Sequence, residues 1–336
     1  MVADVFQPVR VRLARELAGL TQADVAARCG VTAAAISQYE GGVTKPTPDV
    51  ETRLARALEV PVRFLSLPVV ETHDGFFRSL RRTSVTQRRQ ARAIAHVAHD
   101  LATQSPNTLP VVNLPELAAA PMMDADDDVE QAAAVVRAAW HLETGPVPDV
   151  VGALESNGVL VIRLPLATDD VDAFSLPFPD RPVIVLGSDK NDRARSRFDA
   201  AHELGHLVVH GETVWGTKEV EHQAHVFAAA FLMPADEIRD QLPTTVDWPT
   251  LFELKRHWQV SLAALLMRAK TLGRMTPDTY LTAVKAASAR GWRRLEPVPL
   301  GPPEQPKLLA SLVGTSRDVE AALPAHLLEA LAQAAA

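Results

Sequence analysis

Two histidines four residues apart, with a glutamate directly after the first, restrict the fold of this 336-residue chain more than any other feature. The motif is His202-Glu203-Leu204-Gly205-His206. Residues four apart lie on one face of an α-helix, so these two imidazoles can reach one metal ion only if the segment is helical. Ser196, with Asp199 three residues later, is typical of a helix start, and Gly211 of an end. The spacing therefore predicts a helix over about 197–210.

Such a helix predicts a hydrolytic zinc site. A catalytic zinc takes three protein ligands and leaves one position for a water molecule, whose pKa it lowers toward neutrality. His202 and His206 are the first two expected ligands, and Glu203 is the expected general base that takes the proton from that water. His210 continues the histidine stripe but lies about 12 Å from His202 along a straight helix. We therefore expect His210 to support the site and not to bind the metal.

The third ligand is expected on the helical segment that ends before Pro234. Glu221 and His225 are four residues apart and share one face of that helix. We favour Glu221 as the ligand and His225 as a hydrogen-bonding residue behind the ligands, since two histidines and a glutamate form a common catalytic zinc set. Glu219 and His225 itself are the alternative ligands.

Short apolar segments before the motif predict a small sheet. Residues 159–162 and 183–186 are β-branched and apolar, and 171–176 between them is a third candidate strand. With helices predicted on both sides, the fold class is α+β and mostly helical. The 171–176 strand is either an ordinary edge strand or one that pairs with substrate backbone. The residues considered for stabilising an oxyanion are Arg197, His257 and Tyr280, and the sequence does not choose among them.

The N-terminal part predicts a compact helical domain. Thr21 and Thr32 can each cap a helix, Gly30 suits the left-handed turn between these two helices, and Pro48 suits the first turn of another. Composition then suggests the boundaries. We expect a helical domain at 1–67, a connector and linker at 68–126 with a helix at about 84–103, the metal-binding domain at 127–297, and a tail of unassigned role at 298–336.

The N-terminal segment resembles the Xre/Cro type of helix-turn-helix domain. The likeness is carried by Leu20-Thr21-Gln22-Ala23-Asp24-Val25-Ala26, Gly30-Val31-Thr32 and Ile36-Ser37-Gln38-Tyr39-Glu40-Gly41-Gly42. It implies a λ-repressor-like fold that binds an operator in double-stranded DNA, with the helix at about 32–40 in the major groove. The expected DNA contacts are Gln22, Thr32, Ala33, Ala34, Ser37, Gln38 and Lys45.

The net charge of the chain gives little support to the prediction that it binds DNA. The whole chain has a net charge of −7, and the N-terminal domain is close to neutral. The arginines crowded between 78 and 92 either supply the missing positive charge or form a solvated helix face. Alanines at two expected reading positions leave an alternative in which the domain binds a protein and no DNA.

The metal motif and its surroundings resemble the ImmA/IrrE family of bacterial metallo-endopeptidases. The likeness is carried by 197–207, 221–224 and 227–234 and extends over about 127–297. It implies a minimal zincin fold, with Glu221 as third ligand, that cleaves a repressor protein and relieves repression after stress or during mobile-element induction. His225 stands where many relatives have a smaller polar residue, so an exchange of ligand role between His225 and Glu221 stays open.

Two functions are therefore in competition. One is a zinc endopeptidase with an attached DNA-binding domain. The other is a transcription regulator whose zincin-like domain senses or dimerises without proteolysis, and an antitoxin-like role belongs to this second class. A single cysteine, no signal peptide and no long apolar run predict a cytoplasmic protein without membrane contact. Paired operator half-sites are compatible with a homodimer.

Overall fold

The described residues form a mostly helical α+β fold with one small sheet. A computed structural model describes residues 5–72, 85–105, 107–115, 125–142, 144–166, 173–189, 191–210, 217–313, 315, 317–325 and 327–328. Within them the helices are α1 (Pro8–Leu17), α2 (Gln22–Cys29), α3 (Ala33–Glu40), α4 (Pro48–Ala57), α5 (Val85–Gln104), α6 (Asp126–Ala139), α7 (Val150–Ser156), α8 (Arg193–Gly205), α9 (Lys218–Leu232), α10 (Ala235–Ile238), α11 (Trp248–Trp258), α12 (Leu262–Thr271), α13 (Pro277–Ala289) and α14 (Arg317–Glu320). The strands are β1 (Leu160–Leu164), β2 (Ala173–Leu176) and β3 (Val183–Gly187).

Capping residues set the limits of the N-terminal helices. Thr21 and Asp24 form a reciprocal capping box at the start of α2, which ends at Gly30 with a φ of 66°. The Thr32 hydroxyl accepts a hydrogen bond from the Ala35 amide at 3.1 Å and so caps α3. Pro48 occupies the first turn of α4. The predicted starts of all three helices are confirmed.

The three strands pair in the order β1-β3-β2, and the predicted small sheet is therefore present. β1 is parallel to β3, with Leu160 opposite Val183, while β2 is antiparallel to β3 and lies at an edge of the described sheet. Residues 171 and 172, included in the predicted third strand, lie outside the described residues. Because side chains alternate between the faces of a strand, Phe174 points into one hydrophobic core while Ala173 and Ser175 point to the other side, toward α8.

Helix α5 connects the N-terminal helices to the sheet. Its buried residues Ala93, Val97 and Leu101 belong to the same apolar core as Val11 of α1 and Leu160 of β1. The helix predicted at about 84–103 is thus present, and it is packed on both sides.

Buried polar contacts fix α5 at both surfaces. Arg10 of α1 forms an ion pair with Asp100, and both side chains are almost fully buried. On the side of the sheet, His99 stacks on Phe178 at 3.9 Å between ring centroids and hydrogen-bonds Asp180 at 2.8 Å. Helix α5 is therefore packed as a core helix is, with buried contacts on two of its sides.

The segment after residue 297 also packs against the sheet. Leu309, Leu312 and Leu323 belong to the core that contains α5. The Glu155 carboxylate accepts hydrogen bonds from the backbone amides of Lys307 and Leu308, which fastens this segment to α7.

Two further features complete the fold. Helix α6 stops at Ala139, and the chain turns at His141 with a φ of 52°. Among the described helices, none has both the length and the apolar character needed to cross a lipid bilayer.

Candidate metal centre

The motif helix begins at Arg193, four residues before the predicted start at about 197. Its cap is Asp192, whose carboxylate accepts a hydrogen bond from the Arg195 amide at 3.1 Å. The Ser196 hydroxyl instead accepts a hydrogen bond from Arg163 of β1 at 2.7 Å. The predicted capping role of Ser196 is therefore wrong, because a strand arginine takes its hydroxyl.

The end of the motif helix also differs from the prediction. Helix α8 stops at Gly205, and His206–His210 form a single π-helical turn in place of a straight α-helix. A π-turn adds one residue per hydrogen-bonded ring and often occurs at functional sites. Gly211, the predicted stop, lies outside the described residues.

The two motif histidines converge. His202 Nε2 and His206 Nε2 lie 3.0 Å apart, and the two rings are almost perpendicular. Burial lowers the pKa of each imidazole, which favours the neutral form that a metal ligand must have. The spacing in the motif thus brings the two rings together, and their lowered pKa values favour neutral imidazoles.

A hydrogen-bond chain sets the direction in which His206 offers its lone pair. His210 Nε2 lies 2.9 Å from Gln223 Oε1, an acceptor, so this nitrogen donates. His210 Nδ1 then carries a lone pair and accepts from His206 Nδ1 at 3.2 Å. His206 is thereby left with an unprotonated Nε2 that faces His202, as a metal ligand requires.

Glu221 and His225 of α9 lie beside His202. Glu221 Oε2 is 3.5 Å from His202 Nε2, and this hydrogen bond lowers the pKa of the carboxyl. His225 Nδ1 donates to the Glu221 backbone carbonyl at 2.7 Å, while its ring packs edge-on against His202 at 4.5 Å. Glu219, the other alternative ligand, is exposed.

Glu203 is buried under the sheet. Its Oε2 accepts a hydrogen bond from the Ser175 hydroxyl of β2 at 2.7 Å. Burial raises the pKa of this carboxyl to about 8, against the opposing effect of the Ser175 hydrogen bond. Glu203, His202 and His206 each offer a ligand atom within 4.8 Å of the other two.

The donor set fits a divalent ion such as zinc. The two imidazole nitrogens converge with a carboxylate alongside, and in the tautomers with unprotonated Nε2 atoms both would offer a lone pair to one cation. His202, His206 and Glu221 are the residues that would hold it. Their placement depends on the close approach of α8 and α9 at Gly205, where a Cβ atom would lie 3.0 Å from Phe227 Cδ1.

The three candidates for stabilising an oxyanion make their contacts away from the metal cluster. Arg197 is buried and pairs with Glu304 while donating to the Val147 carbonyl. Tyr280 lies under the Lys270 ammonium, and His257 packs edge-on against Trp258. None of these contacts involves a residue of the metal cluster.

The expected DNA contacts lie on α2 and α3 and in the segments beside them. Six of them are exposed: Thr32, Ala33, Ala34, Ser37, Gln38 and Lys45. Gln22 is partly buried, and its amide donates to Glu40 at 2.9 Å. Arg15 binds the same carboxylate through two hydrogen bonds, of 2.6 and 3.0 Å. Side chains that point outward from the start of the second motif helix are those that reach base edges in helix-turn-helix complexes.

Two families match this chain. Residues 11–65 match the family described as helix-turn-helix, and residues 154–270 match a peptidase family described as the IrrE N-terminal-like domain. The chain is a fusion of an Xre-like helix-turn-helix domain and an IrrE/ImmA-like domain. No curated protein matches the chain. The IrrE-like match spans the sheet, the motif helix and α9, so every residue of the metal cluster falls within it.

Sequence reasoning missed two residues that contact this site. Ser175 was expected only as part of a strand, and Gln223 had no assigned role. Ser175 lies 28 positions from its partner Glu203, so no local spacing reveals the contact. Gln223 lies 13 positions from His210, and its role depends on how α9 packs on the π-turn.

Proposed function

We propose that this protein is a zinc-dependent endopeptidase attached to a DNA-binding domain. The observation that supports it best is the convergence of His202 and His206 at 3.0 Å, with Glu221 beside them and Glu203 within the same cluster. His202, His206 and Glu221 are the proposed ligands. His225, which donates to the Glu221 backbone carbonyl and packs against the His202 ring, is the proposed supporting residue. Bound zinc lowers the pKa of a water molecule and polarises a carbonyl oxygen.

Glu203 is the proposed general base. It accepts the proton that water loses on attack at the scissile carbonyl, and it delivers that proton to the nitrogen of the departing amine. The Ser175 hydroxyl holds one carboxylate oxygen in place, which leaves the other for proton transfer. Burial raises the pKa of this carboxyl, which strengthens it as the acceptor of the proton from water.

The proposed substrate is a repressor or other partner protein. β2 lies at an edge of the described sheet and carries Ser175, so an extended substrate segment added beside it would run past Glu203. The helix-turn-helix domain would place the enzyme at an operator, or close to a DNA-bound substrate, in the cytoplasm. Cleavage would then change transcription in a stress or mobile-element response. A homodimer would suit an operator with two half-sites.

The test compares cleavage by wild-type protein with cleavage by Glu203→Gln. Each purified, zinc-loaded protein is incubated with a bacterial lysate, and newly formed protein N-termini are identified by mass spectrometry. We expect new termini with the wild type that disappear with Glu203→Gln and with His202→Ala. The exposed Glu219→Gln variant is the matched control and should keep them. Equal yields of the same termini from wild type and Glu203→Gln would refute the proposal.

Metal content tests the ligand set separately. His202→Ala and Glu221→Ala should each lose stoichiometric zinc, while Glu203→Gln and Glu219→Gln should keep it. Full zinc retention by Glu221→Ala would move the third-ligand role to His225 or Glu219.

A regulator without proteolysis is the second candidate. One observation favours it: the N-terminal helices, α5 and the sheet share a single apolar core, and Ser175 of that sheet hydrogen-bonds Glu203, so packed elements join the metal cluster to the DNA-binding helices. An antitoxin-like role belongs to this class. In this case DNA binding would respond to zinc or chelator, and no new protein termini would form.

A further inference from the structure

A cleft of about 1100 Å³ lies between the N-terminal helices and the start of α5. From α2 and α3 it is lined by Gln22, Ala33 and Ser37, which are three of the expected DNA contacts. From α5 it is lined by Arg88, Arg89 and Arg92. The surface expected to meet DNA therefore continues without a break onto the connector helix. Arg78, Arg81 and Arg82, the other arginines of this stretch, lie outside the described residues.

The cleft has an excess of positive charge. Five arginines line it, namely Arg12, Arg15, Arg88, Arg89 and Arg92, against two glutamates, Glu16 and Glu40. Arg15 and Gln22 already hydrogen-bond Glu40, so that carboxylate is satisfied within the domain. Glu16 is buried, with Arg89 Nε at 3.9 Å.

The accessible arginines are the ones on the outer part of the cleft. The Arg89 side chain is 57% exposed, Arg12 is exposed, and Arg88 is partly exposed. Arg89 faces Glu16 with its Nε, so its terminal guanidinium nitrogens are the atoms that would meet an anion.

Double-stranded DNA is the anion that suits this position. A helix-turn-helix domain with its second helix in the major groove brings the flanking sugar-phosphate backbone against the start of its first motif helix. Gln22 and Thr21, at the start of α2, form the wall of the cleft opposite the α5 arginines. A phosphate near Gln22 would thus lie between the helix-turn-helix domain and α5.

We propose that Arg88 and Arg89 of α5 bind the DNA phosphate backbone next to the helix-turn-helix domain, so that the connector helix is part of the DNA-binding surface. The proposal rests on the DNA-binding part of the proposed function and does not depend on proteolysis. It also accounts for how a domain of near-neutral charge holds a polyanion. Because phosphate contacts carry no sequence information, α5 would contribute affinity and leave base preference unchanged.

The test measures how the DNA affinity of the full-length protein depends on salt concentration. Binding to a fluorescein-labelled double-stranded DNA of random sequence is followed by anisotropy from about 50 to about 200 mM KCl. Each phosphate contact contributes about 0.9 to the slope of log K against log salt, so Arg88→Gln/Arg89→Gln should lower the slope by about 2. The ratio of wild-type to variant affinity should therefore shrink about tenfold across that salt range.

Two matched variants control for charge and fold. Arg88→Lys/Arg89→Lys keeps the charges and should keep the wild-type slope. Arg293→Gln/Arg294→Gln removes an adjacent, exposed arginine pair that does not line the cleft, and it should also keep the slope. If the double glutamine variant at α5 does not fold, Arg88→Gln alone keeps the contact between Arg89 and Glu16 and should lower the slope by about 1.

The outcomes separate this proposal from the function on which it rests. A wild-type protein that fails to bind DNA even at low salt overturns both. Wild-type binding with an unchanged slope in Arg88→Gln/Arg89→Gln overturns the role of α5 alone and leaves the helix-turn-helix domain as the sole DNA-binding element. An equal loss of slope in Arg293→Gln/Arg294→Gln overturns it as well, because the effect would then be one of net charge.

Discussion

Ser175 Oγ and Glu203 Oε2 lie 2.7 Å apart and join the edge strand β2 to the motif helix α8. Ser175 is fully buried, and Glu203 is 4% exposed. A buried carboxyl needs a hydrogen-bond partner, because the cost of leaving it without one is larger than the gain from making one hydrogen bond in water. This single hydroxyl therefore supports the proposed general base and fixes the strand beside which substrate would lie.

Ser175→Ala should destabilise the metal-free protein by about 1–3 kcal/mol, since it leaves the buried Glu203 carboxyl without this donor. In a Glu203→Ala background the same change should have little effect, because there is no carboxyl left to satisfy. Urea unfolding of the two single variants and the double variant in the presence of chelator gives the coupling energy. The exposed Ser188→Ala variant is the control. A coupling energy close to zero would contradict the assigned role.

Gln223→Leu should weaken zinc binding about 10- to 100-fold without changing its stoichiometry. The change removes the acceptor of His210 Nε2–H, so the hydrogen-bond chain no longer holds His206 in the tautomer with a free Nε2. Competition against a chromophoric chelator measures the affinity. His222→Gln, on an exposed face of the same helix, should bind zinc like the wild type. Unchanged affinity in Gln223→Leu would show that the chain does not orient His206.

His96→Gln should make the protein less sensitive to acid. Burial, followed by the nearby arginine charges, lowers the pKa of His96 to about 3, and its Nε2 has no hydrogen-bond partner among the described residues. Below the ordinary histidine pKa the unfolded chain takes up a proton that the folded protein does not, so stability is lost as pH falls from about 6.5 toward 3.

Between about pH 7 and pH 5 the wild type should lose roughly 2 kcal/mol more stability than His96→Gln does. Urea unfolding across this range measures the difference. His257→Gln, which replaces an exposed histidine, should follow the wild type. Parallel pH profiles for wild type and His96→Gln would show that His96 is protonated in the folded protein.

Gly205→Ala should destabilise the protein by about 1–3 kcal/mol. The added Cβ would lie 3.0 Å from Phe227 Cδ1, so α9 must move away from α8 and carry Glu221 with it. Zinc affinity should fall together with stability. Phe227→Leu, combined with Gly205→Ala, should recover part of the loss by making room for the methyl group. A Gly205→Ala protein as stable as the wild type would show that the interface yields without strain.

Local signals in the sequence predict much of this structure. The caps at Thr21 and Thr32 and the left-handed turn at Gly30 need only neighbouring residues, and all three are present. The i, i+4 spacing of His202 and His206 likewise brings two nitrogens together through helix geometry alone. Each of these features depends on residues that are close together in the chain, so the local sequence is enough to predict it.

Features set by distant residues were not predictable. Helix α8 is capped by Asp192, whereas the Ser196 hydroxyl is taken by Arg163 of strand β1. His210, at the end of the π-turn, hydrogen-bonds Gln223 of α9, which lies 13 positions further along the chain. The buried partner of Arg197 is Glu304, which lies 107 positions away. In each case the decisive partner comes from another part of the chain.

The sharing of α5 between the N-terminal helices and the sheet has a consequence for biosynthesis. During translation α5 emerges before β1–β3, so the strands meet an apolar surface already in place. Leu309, Leu312 and Leu323 complete the same core, and they leave the ribosome more than a hundred residues after the strands. Until then one face of the sheet that supports Glu203 is only partly covered. A nascent chain therefore acquires its full hydrophobic interior only after both matched domains have been synthesised.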